Sequence, residues 1–419
     1  MPPARLLYTL ALYAASPFIL IYAAKKRRLN RQCFGFVAPP PSASPVVWLH
    51  AVSVGEAAAA GELVEILRRR GCQLVLTHTT AAGGEWLRRR HGEYAYICAL
   101  PLDFPGAARR FMRRVRPQMA VIMEKEYWPN LLAAAKNAGA VLFLANARLG
   151  RKAARRYARV APLFREMAGA FNIAAAQTRA DARRLAFFGA PRTIAAGNLK
   201  FDRPVCAEQS RRGAEWRRHW PEGKTAVLVA GSRRGEEEIL LRAMDEDFLR
   251  RFFCIFAPRH PERGDEVAAL LAARGLSFGR RSRGDIPAPA QTGAYLADTL
   301  GEMDAFYACS DAAAVCGSFL PFGGQNPIEA MASGVAAVIG PHAENYRALV
   351  ADAVRISALQ QAENAEDAVR RLRMLAADEE ARLRQRRAAK ELCARHGGAL
   401  QTHARLAAEI LDGAPVSAA

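Results

Sequence analysis

Cysteine pairs at metal or redox spacing are missing from this 419-residue chain. Its eight cysteines are scattered and none stands in a C-x-x-C pair, which excludes a zinc ribbon or dithiol centre and points to a reducing compartment. No G-x-G-x-x-G occurs, against a dinucleotide cofactor, and no G-x-x-x-x-G-K-[ST], against a P-loop NTPase. Acidic residues are scarce: 40 Asp and Glu face 60 Lys and Arg, a formal charge of +20. That balance attracts polyanions, whether nucleic acid, an anionic membrane face or a phosphorylated substrate. The arginine clusters "RRFMRRVR" (109–116) and "RLGRKAARRYAR" (148–159) lack the interleaved aromatics that stack on bases, so nucleic acid is not expected as a partner. Internal repeats and low-complexity tracts are absent as well.

One long apolar run is present, at the N-terminus. "LLYTLALYAASPFILIYAA" (6–24) holds nineteen residues without a charge, followed by "KKRRLNR". This just reaches bilayer length, and the basic flank on its C-terminal side keeps the rest of the chain in the cytoplasm. The expectation is an uncleaved anchor with its basic flank over residues 1–30, spanning or, because Pro17 interrupts it, half-inserted.

From residue 46 short apolar runs alternate with amphipathic stretches. Strands are expected at 46–52, 73–79, 94–100, 119–124, 141–147 and 172–177. Residues 204–223 break the rhythm with proline, glycine and charge and read as a linker. The alternation restarts with strands at 225–231, 252–258, 294–298, 312–317 and 335–340, and residues 364–411 read as two or three helices. Continuous apolar strands joined by helices predict parallel sheets covered on both faces. The expected fold is α/β: two doubly wound Rossmann-like domains, 31–203 and 224–419, facing a central cleft at the carboxyl ends of their strands.

Chemistry-bearing residues gather at those strand ends. "VVWLHAVSVGEAAAA" (46–60) puts Glu56 where the first strand hands over to an alanine-rich helix. A helix-start carboxylate explains it electrostatically; the tight "SVG" turn also lets a substrate approach it. "VIMEKEYWPN" (121–130) adds Glu124 and Glu126, which extended alternation points to opposite faces, so only one of them is expected in the cleft. Neither lies near a D-x-D or a His/Asp cluster, and no metal is expected. Lys200, in "AAGNLKFDRP" (195–204), stands just before the linker. In the second half, "VAGSRRGEEE" (229–238) offers backbone N–H groups for phosphate. "APRHPER" (257–263) brings Arg259 and His260, and "ADTLGEM" (297–303) begins a helix with Asp298 or Thr299 as cap. "CGSFLPFGGQNPIEA" (316–330) is a glycine-rich loop with Asn326 and Pro327 opening a helix, and Glu329 placed to accept from ribose hydroxyls.

Taken in order, "SVGE", "EKEYWPN", "NARLGRKAARRY", "GNLKFD", "APRHPER", "DTLGEM" and "GSFLPFGGQNPIEA" resemble the 3-deoxy-D-manno-octulosonic acid (Kdo) transferases of lipid A assembly, a GT-B family. The resemblance implies CMP-Kdo as donor substrate, no cofactor, lipid IVA as acceptor, inversion without a metal, and catalytic domains on the cytoplasmic side of the inner membrane. It implies Glu56 as general base, with Glu126 and Lys200 orienting groups and stabilising charge. Pro258 and Arg259, Gly301, Glu302 and Met303, and Asn326, Pro327, Ile328 and Glu329 match its CMP-binding segments. The sequence departs from the pattern at Lys125, at Arg233 and Arg234, and at Phe322 and Gln325, where histidines are customary. Two other readings are open: a GT-B enzyme using a UDP-sugar on a lipid carrier, and a non-enzymatic basic protein at the membrane.

Overall fold

The computed structural model describes residues 1–25, 29–202, 204–285 and 293–413. The chain forms two compact units, Met1–Arg203 with His396–Ala419, and Pro204–Arg395.

The first unit is built on a seven-stranded, wholly parallel sheet: β1 (Val46–His50), β2 (Gln73–His78), β3 (Ala95–Ala99), β4 (Met119–Met123), β5 (Val141–Ala147), β6 (Ile173–Ala176) and β7 (Thr193–Ala195). Their order is β3-β2-β1-β4-β5-β6-β7, which makes the β1/β4 boundary the point where the winding reverses. Ligands bind at such a boundary in open α/β sheets. Valine, leucine, isoleucine and alanine fill β1, β2, β4 and β5, so the strands are buried on both faces. The covering helices are α3 (Val54–Arg69), α4 (Ala81–His91), α5 (Pro105–Val115), α6 (Pro129–Asn137), α7 (Arg151–Ala158), α8 (Ala161–Ala168) and α9 (Arg179–Phe187), preceded by α1 (Pro3–Ala14) and α2 (Ser16–Lys25).

The expected anchor is not a single span. Among the described residues no single helix is long and apolar enough to cross a membrane; α1 and α2 meet that test only as a pair, bent by 59°. The break falls at Ala15, where Pro17 takes the second position of a new helix; its fixed φ and missing N–H suit a helix start and cannot continue a preceding one. α1 lies on its own unit: Arg5 pairs with Glu166 at 3.2 Å, Thr9 donates to Asn130 Oδ1 at 3.1 Å, and Tyr8 bonds the Asp103 carboxylate. Residues 26–28 of the basic flank lie outside the described residues. Part of the 109–116 cluster is structural as well, since Arg114 donates to Val37 O at 3.1 Å and the Arg110 guanidinium sits 4.2 Å from the Phe36 ring.

The second unit repeats the plan with β8 (Thr225–Ser232), β9 (Phe252–Pro258), β10 (Phe278–Arg280), β11 (Ala294–Leu296), β12 (Ala312–Val315), β13 (Ala336–Ile339) and β14 (Gln360–Gln361), all parallel, in the order β10-β11-β9-β8-β12-β13-β14. Its reversal lies between β8 and β12. Its helices are α10 (Ala207–Arg217), α11 (Glu236–Ala243), α12 (Glu246–Arg251), α13 (Gly264–Ala273), α14 (Met303–Ala308), α15 (Pro327–Ala332), α16 (Arg347–Arg355), α17 (Ala365–Ala377) and α18 (Glu379–His396).

Two boundaries differ from the sequence reading. The stretch taken as a linker contains α10, which packs so closely on α14 that a Cβ at Gly213 would stand 2.3 Å from Ala305 O. Trp216 meets Phe306 at 5.2 Å and Trp220 is buried on Phe253. And α19 (Ala399–Leu411) does not belong with the second sheet: it packs on α3 and β5 of the first unit, with Leu406, Ala407 and Ile410 in that unit's core.

Candidate active site

In the first unit the acids converge on the β1/β4 reversal. Glu56 is the third residue of α3, and its Oε2 takes the Val52 backbone N–H at 2.6 Å. The carboxylate therefore does serve the helix start, yet it is buried. Burial, then the nearby charge of Glu124, push its pKa from 4.5 up to about 7; the Val52 N–H opposes this, Glu126 adds to it and Lys200 opposes it. A carboxyl titrating near neutrality is matched to general-base work.

The expectation that only one of Glu124 and Glu126 would face this place is corrected. Glu124 follows β4 directly in the left-handed region, φ +57°, which breaks the strand alternation and lets both acids act on Glu56. Such a conformation costs on the order of 1–3 kcal/mol for a non-glycine residue and must be held by its surroundings. Glu124 N donates to Ala145 O at 2.9 Å and Arg148 N to Glu124 O at 3.1 Å. Glu124 is also the partner of Lys200, Nζ to Oε1 at 2.7 Å, a role the sequence reading did not give it. Glu126 instead receives the Trp128 indole N–H at 3.0 Å and lies 3.8 Å from Nε2 of the buried His50. Trp128 thus packs on the core, as its type suggests, while its N–H fixes an acid. Lys125 between them is exposed.

Sequence reasoning also missed Asn146 and His50. An asparagine tolerating positive φ inside the apolar run "VLFLANA", and a histidine ending the apolar β1, were the available signals.

In the second unit the loops after β8 and β12 meet at the reversal, but not as foreseen. Of the backbone N–H groups expected to cradle phosphate in 229–238, that of Arg233 is already taken by a carboxylate, which also holds the β12 loop. Glu236 takes Arg233 N at 2.8 Å, Gly317 N at 2.7 Å, and Ser318 N and Phe319 N each at 2.9 Å. This fully buried carboxylate is an internal anion that staples the two loops together. Among the described residues Arg233 and Arg259 have no carboxylate partner, whereas Arg234 pairs with Glu266 at 2.9 Å. The Arg233 guanidinium stands 5.3 Å from the Phe322 ring centre and its Nε is buried without a hydrogen bond. Two departures from the family pattern are therefore in contact, a cation over an aromatic face. A third, Gln325, fills the space over Gly317, where an added Cβ would stand 3.1 Å from its Cγ at φ +69°. The glycine is needed there.

The remaining donor-side residues sit as follows. Pro258 ends β9 buried, and Arg259 N donates to Ser232 O at 2.9 Å, bringing it to the end of β8. Asn326 caps α15 through Ile328 N at 3.2 Å and donates to Glu329 Oε1 at 3.3 Å, with Pro327 and Ile328 buried behind them. Gly301 precedes α14 at φ +82°. α14 starts at Met303 and is not capped by Asp298 or Thr299: Asp298 takes Arg280 at 2.6 Å, and Thr299 donates to Glu302 at 2.6 Å. Glu302 also holds Arg281 through two bonds, at 3.0 and 2.9 Å, so its side chain is committed within the unit.

Two parallel α/β units of this kind are shared with a solved glycosyltransferase from Rickettsia africae ESF-5, at a TM-score of 0.58 and 11% identity, covering 89% of this chain and 100% of that one. The fold is accordingly of the GT-B type. Residues 27–203 match the family described as 3-deoxy-D-manno-octulosonic-acid transferase (kdotransferase). A 3-deoxy-D-manno-octulosonic acid transferase of Bordetella pertussis is 37% identical, covering 94% of this chain and 96% of that one. The Haemophilus influenzae protein of the same name is 31% identical over 95% and 96%. The chain is a glycosyltransferase. It belongs to the 3-deoxy-D-manno-octulosonic acid transferase family.

Proposed function

We propose that this enzyme moves Kdo from CMP-Kdo to lipid IVA, with inversion and without a metal, at the inner membrane. The observation that carries the mechanism is the buried Glu56 carboxylate with a pKa near 7 at the β1/β4 reversal. As base, Glu56 takes the proton from an acceptor sugar hydroxyl. The freed oxygen lone pair attacks the anomeric carbon of the donor from the face opposite CMP, the bond to the CMP phosphate oxygen breaks, and CMP leaves with the electron pair. Glu126 and the Lys200–Glu124 pair orient the acceptor and tune the base. Arg259, assisted by Arg233, neutralises charge growing on the phosphate, a preorganised contribution of the kind that dominates many enzymes. Pro258, Gly301–Met303 and Asn326–Glu329 surround the cytidine. Incubating the protein with CMP-Kdo and lipid IVA and weighing the product by mass spectrometry tests this; the expected result is lipid carrying added Kdo, and unchanged lipid would reject it.

The competing donor is a UDP-sugar. We expect CMP to bind more tightly than UDP by calorimetry, and Arg259→Ala to weaken CMP roughly 10- to 100-fold, the worth of a charge-assisted hydrogen bond, while cytidine is unaffected. Equal loss for cytidine would move Arg259 away from the phosphate.

For the membrane, α1 and α2 support an in-plane reading better than a crossing one. α1's polar ties hold it to the first unit, while Leu6, Leu7, Leu10, Phe18, Ile21 and Tyr22 are exposed, and the arginines of α5 and α7 suit anionic headgroups. Changing Leu7, Leu10, Phe18 and Ile21 together to serine should release the protein from sedimenting anionic vesicles. Undiminished sedimentation would mean that other surfaces hold the membrane.

A further inference from the structure

Behind the Glu124–Lys200 pair runs a chain of buried hydrogen bonds that the transfer step does not itself use. It centres on Asn146, which sits at φ +52° where the pairing of β5 with β6 slips between Leu144 and Ala147. Each polar group of Asn146 has a partner. Its Oδ1 accepts from Leu199 N at 3.1 Å, and its Nδ2 lies 3.5 Å from Glu124 Oε1. Its carbonyl accepts from Gln177 Nε2 at 3.1 Å, and its N–H donates to His403 Nε2 at 2.9 Å. One carboxamide thus touches Glu124 directly and the backbone just before Lys200.

His403 comes from α19, the helix that packs on the first unit although the chain reaches it from the second. Its ring is fully buried, with Nδ1 2.7 Å from Ala399 O. A carbonyl only accepts, so Nδ1 carries the proton and Nε2 is left as the acceptor that Asn146 N–H requires. Burial pulls the His403 pKa below its ordinary value, in keeping with a neutral ring. A protonated ring would set N–H against N–H.

We propose that His403 and Asn146 are positioning residues for glycosyl transfer: α19 fixes the Asn146 kink, and the kink fixes the Glu124–Lys200 pair beside Glu56. The proposal rests on Glu56 being the base. Without the His403 acceptor the Asn146 amide loses its partner, and its relaxation toward ordinary φ swings the carboxamide away from Leu199 N and Glu124. Lys200, one of the charges facing Glu56 along with Glu124 and Glu126, then loses its fixed place.

The test uses the full-length enzyme and three variants: His403→Ala, His403→Gln, whose carboxamide oxygen can replace Nε2 as acceptor, and Asn146→Gly, which tolerates positive φ but removes the carboxamide. Single-turnover rate, KM for CMP-Kdo and the acid limb of the pH–rate profile are measured beside thermal unfolding. His403→Ala and Asn146→Gly should lower kcat roughly 10- to 100-fold, as a catalytic group held loosely does. Donor KM should stay within about twofold, and the acid limb should move above its wild-type position because Lys200 no longer opposes Glu56's raised pKa. His403→Gln should recover most of the rate. Should His403→Ala fail to fold, Asn146→Gly and His403→Gln decide. Folded Asn146→Gly with wild-type kcat and acid limb overturns the proposal, as does folded His403→Gln with a rate as low as the alanine variant's. If Glu56→Gln keeps activity, the reading of the base has failed instead; if it loses activity while Asn146→Gly is unaffected, only the positioning role has.

Discussion

Replacing Glu56 by glutamine should reduce transfer by roughly 10²- to 10⁴-fold, the range that positioned general bases contribute. Glutamine keeps the shape and can accept the Val52 N–H, but it cannot take a proton. Stability should move the other way. A carboxyl whose folded pKa is raised from 4.5 to about 7 binds its proton more tightly in the folded state. The folded protein therefore carries a cost that is absent below pH 4.5 and grows until it is complete above about pH 7. Removing the charge relieves that cost, up to on the order of 3 kcal/mol. The variant's Tm at pH 8 should accordingly equal or exceed the wild-type value, with the difference vanishing at low pH. A variant that is inactive and also markedly less stable would mean that Glu56 serves chiefly to start α3.

The second large effect is expected at Glu236. Its carboxylate accepts four backbone N–H groups, from Arg233, Gly317, Ser318 and Phe319. Glu236→Ala strands these donors at a buried point, and each unpaired donor costs about 1–3 kcal/mol. Water entering the vacated space will satisfy some of them, so a loss of about 4 kcal/mol or more is expected, in the range diagnostic of a broken buried network. It should register as a lower unfolding transition of the second unit with CMP affinity lost, since the loops after β8 and β12 would no longer be held together. Glu236→Gln keeps one accepting oxygen and should fall between. Unchanged calorimetry in Glu236→Ala would remove the staple from the account.

These two acids also show what a sequence does and does not display. Glu56 was legible because an apolar run, a tight turn and an alanine-rich helix leave little choice about where it sits. The same clarity applied to β1, β2, β4, β5, β8 and β9, whose continuous apolar runs settle strand type and near-exact limits. Of the strands of two or three residues, β7, β10 and β14 carried no such signal, and only β11 was legible. Glu236 was visible only as one of three successive glutamates; that it would take three amides of the β12 loop depends on that loop folding back from 81 residues away. Glu124 was misjudged because strand alternation was extended one residue past the end of β4, into a left-handed turn. α10 was hidden by the proline, glycine and charge around it, although Gly213 and Trp216 mark its packing face. The return of α19 has no local signature at all: an alanine- and leucine-rich helix fits either sheet, and only Leu406, Ala407 and Ile410 meeting the core of the first unit decides it.

Whether the buried acid at the β1/β4 reversal is the working base is tested most directly by the pH dependence of single-turnover transfer. The rate in the wild-type enzyme should climb with pH and level off above a midpoint near 7, and the residual rate of Glu56→Gln should lack that limb. A midpoint near 4.5, or the same limb persisting in the glutamine variant, would show that another group takes the proton.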